Sequence, residues 1–298
     1  MAITTIVAGC DLSGPSDQAL DRAIAIAEQH HAKLVLVHAQ ASDAPIAEVD
    51  SAMLEQLGEV SAAVRVEEAR QLADRLAMSE ARGIHTEVVS RIGPADEVLA
   101  AVALEQAAEL VVVGTHGHTG IARFLLGSVA SSTIRHAMCD VLVVRGRTSK
   151  EPFKRPLVGT DFSPAASRAI DHAALVCAPG TAIEVIHAWQ LPAGSWGATL
   201  IGQARFPWST VRDAVLAAAQ TQAAKLVAEH AELANPIHVE LVQGPPTQVI
   251  THAAESQGHD LIVVGAHGHR GVRRLLLGSV AESTVRHSPC SVLVVHGA

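Results

Sequence analysis

Short, mostly apolar runs recur along the chain, each followed by a stretch in which apolar residues return every three or four positions. Residues 3–8, 33–38, 85–89, 110–113 and 141–144 have strand length and are rich in Val, Leu and Ile. Such runs suit parallel strands covered on both faces. Ala19, Leu20, Ala23, Ile24 and Ala27 between them follow helical spacing, and 60–82, 95–106 and 128–136 read as further helices. The same alternation returns with strands at 157–159, 183–187, 238–242, 261–264 and 292–295 and helices at 209–231, 247–257 and 279–287. Ser13 and Ser163 stand where N-caps are expected, and Pro164 takes the favoured first helical position. Strand–helix alternation of this kind predicts a doubly wound α/β architecture, a parallel sheet with helices on both faces.

The pattern is duplicated because the sequence is. Residues 110–145 and 261–296 align without a gap, and 24 of the 36 positions are identical. The same offset of 151 sets Gly93-Pro94 beside Gly244-Pro245, and an offset of 150 sets Asp11-Leu12-Ser13 beside Asp161-Phe162-Ser163. Two homologous domains are therefore expected, at 1–147 and 153–298. They join near residues 146–156, a polar, basic stretch with two prolines.

Composition narrows the chemistry. The 298 residues are 49% hydrophobic but include only four Phe, three Trp and no Tyr, so the cores must be aliphatic. Few aromatics also argue against a stacking platform for single-stranded nucleic acid. A formal net charge of −8 makes the chain a poor general partner for DNA or anionic membranes. No apolar run reaches the ~18 residues of a membrane-spanning helix. The start of the chain lacks the basic and apolar regions of a signal peptide. The four cysteines form no CxxC pair, and a reduced, cytoplasmic protein is the expectation.

The sharpest motif is Gly, two residues, Gly, nine residues, Gly-Ser. It occurs as Gly114, Gly117, Gly127-Ser128 and again as Gly265, Gly268, Gly278-Ser279. Its first glycine ends the fourth strand, where open α/β sheets bind ligands. Its last opens a helix whose free N–H groups and positive dipole end suit a phosphate. Glycine lets the backbone approach an anion closely, and the serine hydroxyl adds a donor. The valines that follow, Val129 and Val280, belong to the same expected binding set. The motif is not a P-loop, since the Gly-Lys-[Ser/Thr] ending is absent, and it follows the fourth strand rather than the first.

Nearly end to end, the chain resembles the universal stress protein family in its tandem form. The residues that carry the resemblance are VGTDFS at 158–163, Leu36-Val37-His38, Gly93-Pro94, the loop from Gly114 to Ser128 and HAMCDVLVVR at 136–145. It implies a Rossmann-like fold with strand order 3-2-1-4-5 in each half. It also implies binding of ATP, ADP or AMP, with the glycine loops wrapping the phosphates and ribose; magnesium can accompany such a nucleotide on general grounds. Asp11 and Asp161 match the acidic residue near the adenine. Ala39 and Ala188 match the adenine-pocket position after the strand-end histidine and are smaller than its usual valine. Members commonly dimerise through their fifth strands, so a tandem chain can pair 141–144 with 292–295 internally and still form a homodimer.

Other residues admit two readings. His116, His118, His267 and His269 repeat in the loops, but no further ligands stand at useful spacing, so a polar loop beside phosphate is favoured over a metal site. His38 and His187 read as structural, Arg123 and Arg274 as either phosphate contacts or surface charge. Arg135-His136 and Arg286-His287 read as helix C-terminal cations, and Cys139 and Cys290 as inert buried thiols. A nucleotide-binding regulator is the leading function. The alternatives are a slow Mg-dependent ATPase or self-phosphorylating enzyme, for which no convincing base is found, and a scaffold that binds no nucleotide.

Overall fold

The computed structural model describes residues 2–41, 51–115, 126–146, 150–191, 208–268 and 277–296, without the side chains of 51–56 and 208. The chain divides into two compact units, Met1–Pro152 and Phe153–Ala298. In the first, β1 (Thr5–Gly9), α1 (Gly14–His30), β2 (Lys33–Gln40), α2 (Ser51–Glu80), β3 (Thr86–Ile92), α3 (Ala95–Glu105), β4 (Leu110–Gly114), α4 (Ser128–His136) and β5 (Asp140–Val144) follow one another. The second contains β6 (Pro156–Gly159), α5 (Pro164–Val176), β7 (Ile183–Trp189), α6 (Trp208–Glu229), β8 (Ile237–Gln243), α7 (Pro246–Gln257), β9 (Leu261–Gly265), α8 (Ser279–His287) and β10 (Ser291–Val295).

Each unit has a parallel five-stranded sheet. The order is β3-β2-β1-β4-β5 in the first and β8-β7-β6-β9-β10 in the second. Val7 pairs with Val35 on one side and Val111 on the other. The chain thus winds outward from β1 to β3, then returns to place β4 on the far side of β1. Right-handed crossovers put α1 and α2 on one face and α3 and α4 on the other. Two glycines mark the faces: a Cβ on Gly9 would meet Leu99 of α3, and one on Gly114 would meet Pro15 of α1.

The core is aliphatic. Ile6, Leu34, Leu36, Leu110, Ile134 and Leu142 are fully buried, and β5 is buried along its whole length. Burying each such side chain contributes about 1.5–3 kcal/mol. On α1 the buried positions include Ala19, Leu20, Ala23, Ile24 and Ala27, the spacing that predicts the helix. Ser163 caps α5 by accepting the Ala166 N–H at 3.2 Å, and Ser13 caps α1 through Ser16. An acidic residue just before the fourth strand clamps the start of the first in both units. Glu109 accepts from the N–H groups of Thr4 and Thr5, and Asp260 from those of Lys154 and Arg155.

The long helices depart from their expected bounds. The second helix begins at Ser51 rather than residue 60, and α6 spans Trp208–Glu229 rather than 209–231. Among the described side chains of α2, Leu72, Arg75 and Ser79 are buried, whereas Val60, Val64 and Val66 are exposed. Its Ala-, Leu- and Glu-rich sequence favours helix without needing a buried face there. Among the described residues, no helix is long and apolar enough to cross a membrane.

Candidate functional site

The switch point in strand order opens a crevice at the carboxyl ends of β1 and β4, whose following connections leave to opposite faces. In the first unit this crevice is a cavity of about 270 Å³. Asp11, Ala39, Gly114, Gly127, Ser128 and Val129 all line it. Gly117, expected in the same set, lies outside the described residues. The sequence reading missed Val37, Leu99 and Val113, which supply apolar walls, and Gly9, Cys10 and Thr115 at the strand ends. The strand-end residues had only their position at the carboxyl edge of a strand as a signal, and Leu99, inside α3, had none.

The two ends of the glycine loop are tied together. The Gly127 N–H donates to the Thr115 carbonyl at 2.7 Å, and the Gly278 N–H to the Ala266 carbonyl at 2.7 Å. Helix α4 then starts at Ser128 with Gly127 as its cap. Gly127 offers no side-chain cap, and no acidic residue lies in the first turn. The contrast with Ser13 and Ser163, whose hydroxyls cap α1 and α5, is direct. First-turn N–H groups that have no partner within the helix, and its positive dipole end, therefore face the crevice. Helix α8 likewise has no side-chain cap at Gly278. Its first turn carries Glu282, paired with Arg286 at 3.1 Å.

At the opposite wall a tight turn fixes the carboxylates. Asp11 Oδ1 accepts from the Ser13 N–H at 3.1 Å and from its hydroxyl at 2.5 Å. Asp161 Oδ1 accepts from the Ser163 N–H at 3.0 Å. The intervening Leu12 and Phe162 take φ of 64° and 62°, a left-handed conformation costing about 1–3 kcal/mol at a non-glycine residue. In the second unit the turn abuts the loop, since a Cβ on Gly268 would overlap Oδ2 of Asp161. Gly265 ends β9, Ser279 and Val280 open α8, and Ala188 lies at the carboxyl end of β7.

The strand-end histidines serve the backbone. Nδ1 of His38 lies 2.8 Å from the Cys10 carbonyl, and Nδ1 of His187 lies 2.9 Å from the Thr160 carbonyl. A carbonyl only accepts, so Nδ1 carries the proton in both. The Phe162 ring lies against His187, centroids 4.3 Å apart. Burial pushes the Cys10 thiol above its usual range and the Cys139 thiol up to about 12. Ser132 of α4 donates to Asp96 of α3 at 2.5 Å, which holds that carboxyl below its usual range. Nδ1 of His287 lies 2.8 Å from the Ser283 carbonyl in the last turn of α8. His116, His118, Arg123, His269 and Arg274 lie outside the described residues. Among the described residues no three His, Cys, Asp or Glu gather as a metal site.

The family model described as universal stress protein family matches residues 2–145 and again 152–296. A universal stress protein of Mycolicibacterium smegmatis is 28% identical over 299 residues, covering 97% of this chain and 96% of the relative. One from Mycobacterium tuberculosis is 30% identical over 203 residues, 65% of this chain and 63% of the relative. The chain thus spans less than two thirds of that relative's length. The crystal structure of a universal stress protein from Archaeoglobus fulgidus has the same fold, with a TM-score of 0.63 at 22% identity, covering 98% of this chain and 96% of that one.

Proposed function

The chain belongs to the universal stress protein family, and on that premise we propose that each half binds one adenine nucleotide, ATP, ADP or AMP, as a regulatory ligand in a stress response. The observation that carries the reading is a glycine-led helix without a side-chain cap facing a turn-fixed carboxylate across one crevice. The amides of the first turn of α4, with Ser128, suit phosphates. Val37, Leu99 and Val113 suit the flat apolar faces of a base. Asp11 supplies an acceptor for an exocyclic amine. Gly265, Gly268, Gly278, Ser279 and Val280, with Asp161 and Ala188, take the same roles in the second half.

Gly117 and the loop arginines complete the phosphate end in this reading. Magnesium arrives on the phosphates and needs no protein donor set of its own. Such a module needs affinity rather than turnover, and it operates in the cytoplasm. Pairing of the halves through their fifth strands, with a homodimer beyond it, extends the reading. The test is the nucleotide content of protein purified without added nucleotide, released by heat and resolved by anion exchange. One adenine nucleotide per half is expected. Absence of nucleotide, together with no uptake at millimolar ATP, would sink the proposal and leave a scaffold.

A further inference from the structure

The two halves differ where the first helix of each faces the long helix. In the first, Arg75 of α2 pairs with Asp17 of α1 at 2.7 Å, its side chain 11% exposed. The repeat offset of 150 sets Ser167 in the place of Asp17 and Arg168 in that of Gln18. The offset of 151 sets Lys225, Leu226 and Glu229 in the places of Asp74, Arg75 and Met78. Both partners of the ion pair are therefore gone, and an acidic position has become basic.

A groove of about 410 Å³ occupies the place between α5 and α6. Arg168, Lys225, Gln222 and Ser167 bring guanidinium, ammonium, amide and hydroxyl groups to it, while Phe162 and Leu226 give it an apolar side. Glu229 is the acid on its lining, and its carboxylate sits 3.5 Å from the Lys225 ammonium. Arg168 has no acidic partner among the described residues. Nε2 of His230 lies 3.3 Å from the Ser167 hydroxyl and 3.5 Å from Asp171, so that acid is engaged by His230 and is not part of the groove lining. The lining carries one more positive charge than negative, whereas Gln18, Asp17, Asp74 and Arg75 in the first half carry one more negative than positive.

We propose that this groove binds a small phosphomonoester with an apolar body. Arg168 and Lys225 hold the phosphoryl group, a task suited to a planar guanidinium fork beside a point charge. Phe162 and Leu226 receive the body, and the volume exceeds what a bare phosphate needs. The site is separate from the glycine loops and does not rest on the nucleotide reading.

The probes are phenyl phosphate, inorganic phosphate and phenol, followed by NMR of the full chain. Phenyl phosphate should saturably shift amides at 165–168 and 222–229, more tightly than inorganic phosphate and with phenol inert. Ser167→Asp/Lys225→Asp, which restores the acidic character of the first half, should weaken binding at least tenfold. Arg168→Gln provides a second, milder variant, and circular dichroism checks that both fold. Equal affinity for inorganic phosphate would overturn the apolar subsite. Shifts confined to residues 265–268 and 278–282, or affinity undiminished in both variants, would overturn the groove.

Discussion

The Gly127 N–H donates to the Thr115 carbonyl at 2.7 Å, so the residue after β4 and the residue before α4 meet directly. The bond ties the two ends of the glycine loop together and holds the start of α4 over the end of β4. Gly278 and Ala266 repeat the bond at the same length. A Cβ on Gly278 would lie 3.1 Å from that same carbonyl oxygen, so the closure favours a bare backbone there through close approach rather than through a positive φ.

Close approach also separates the two strand-end glycines. A Cβ on Gly114 would lie 2.9 Å from the Pro15 carbonyl oxygen, backbone that cannot rotate aside. Gly114→Ala should therefore destabilise the first unit by about 1–3 kcal/mol. At Gly265 the nearest atoms are at 3.2 and 3.3 Å, so Gly265→Ala should cost less. Urea denaturation of the two variants checks the ranking; equal stability would contradict it.

Gly268→Ala should act through Asp161. The new methyl group would displace the Oδ2 atom and move the carboxylate from its turn position. Nucleotide affinity of the second half should fall about tenfold, roughly 1.4 kcal/mol, with the fold intact by circular dichroism. Unchanged affinity would remove Asp161 from the site.

The Ser132–Asp96 bond links α4, and so the phosphate end, to α3. The Ser132 hydroxyl is the main cause of the lowered Asp96 pKa, with backbone amides and His136 adding to it. A carboxyl with a depressed folded-state pKa stabilises above its unfolded pKa, about 3.9, and loses that contribution as pH falls through the folded value. Ser132→Ala should raise the Asp96 pKa in an NMR titration and make acid unfolding begin at higher pH. An unmoved titration would show that the bond does not set it.

His38→Ala should lower stability by about 1–3 kcal/mol by leaving the Cys10 carbonyl without its donor in a buried turn. Equilibrium unfolding measures the loss. Wild-type stability would contradict a structural role for this ring.

The cysteines should resist modification. Cys10 and Cys139 are shifted upward chiefly by burial, Cys139 to about 12, and the thiolate is the reactive species. Native protein at pH 8 should take up little iodoacetamide at either position by mass spectrometry, and denatured protein should take it up readily. Rapid native labelling would refute the buried-thiol assignment.

Much of this was legible because duplication tested each reading twice. The strand runs at 110–113 and 261–264 are continuous Val, Leu and Ile, which only a covered parallel strand needs. The serine caps and the uncapped glycine helices also followed from residue type. What escaped the sequence depends on tertiary placement. Nothing local distinguishes Cys10 or Leu99 as cleft walls, because their neighbours come from elements far along the chain. The early start of α2 escaped because its exposed Val60, Val64 and Val66 mimic a buried stripe. The basic groove escaped because it takes the packing of α5 against α6 to bring Arg168 and Lys225 to one lining.

The most direct measurement is calorimetric titration of the full chain with ATP, beside Gly278→Val and Gly127→Val. The expected result is one nucleotide per half in the wild type, loss of the second-half site in Gly278→Val, loss of the first-half site in Gly127→Val, and folded protein throughout. Undiminished stoichiometry and affinity in both variants, or no binding by the wild type at millimolar ATP, would contradict phosphate capture by the glycine-led helices.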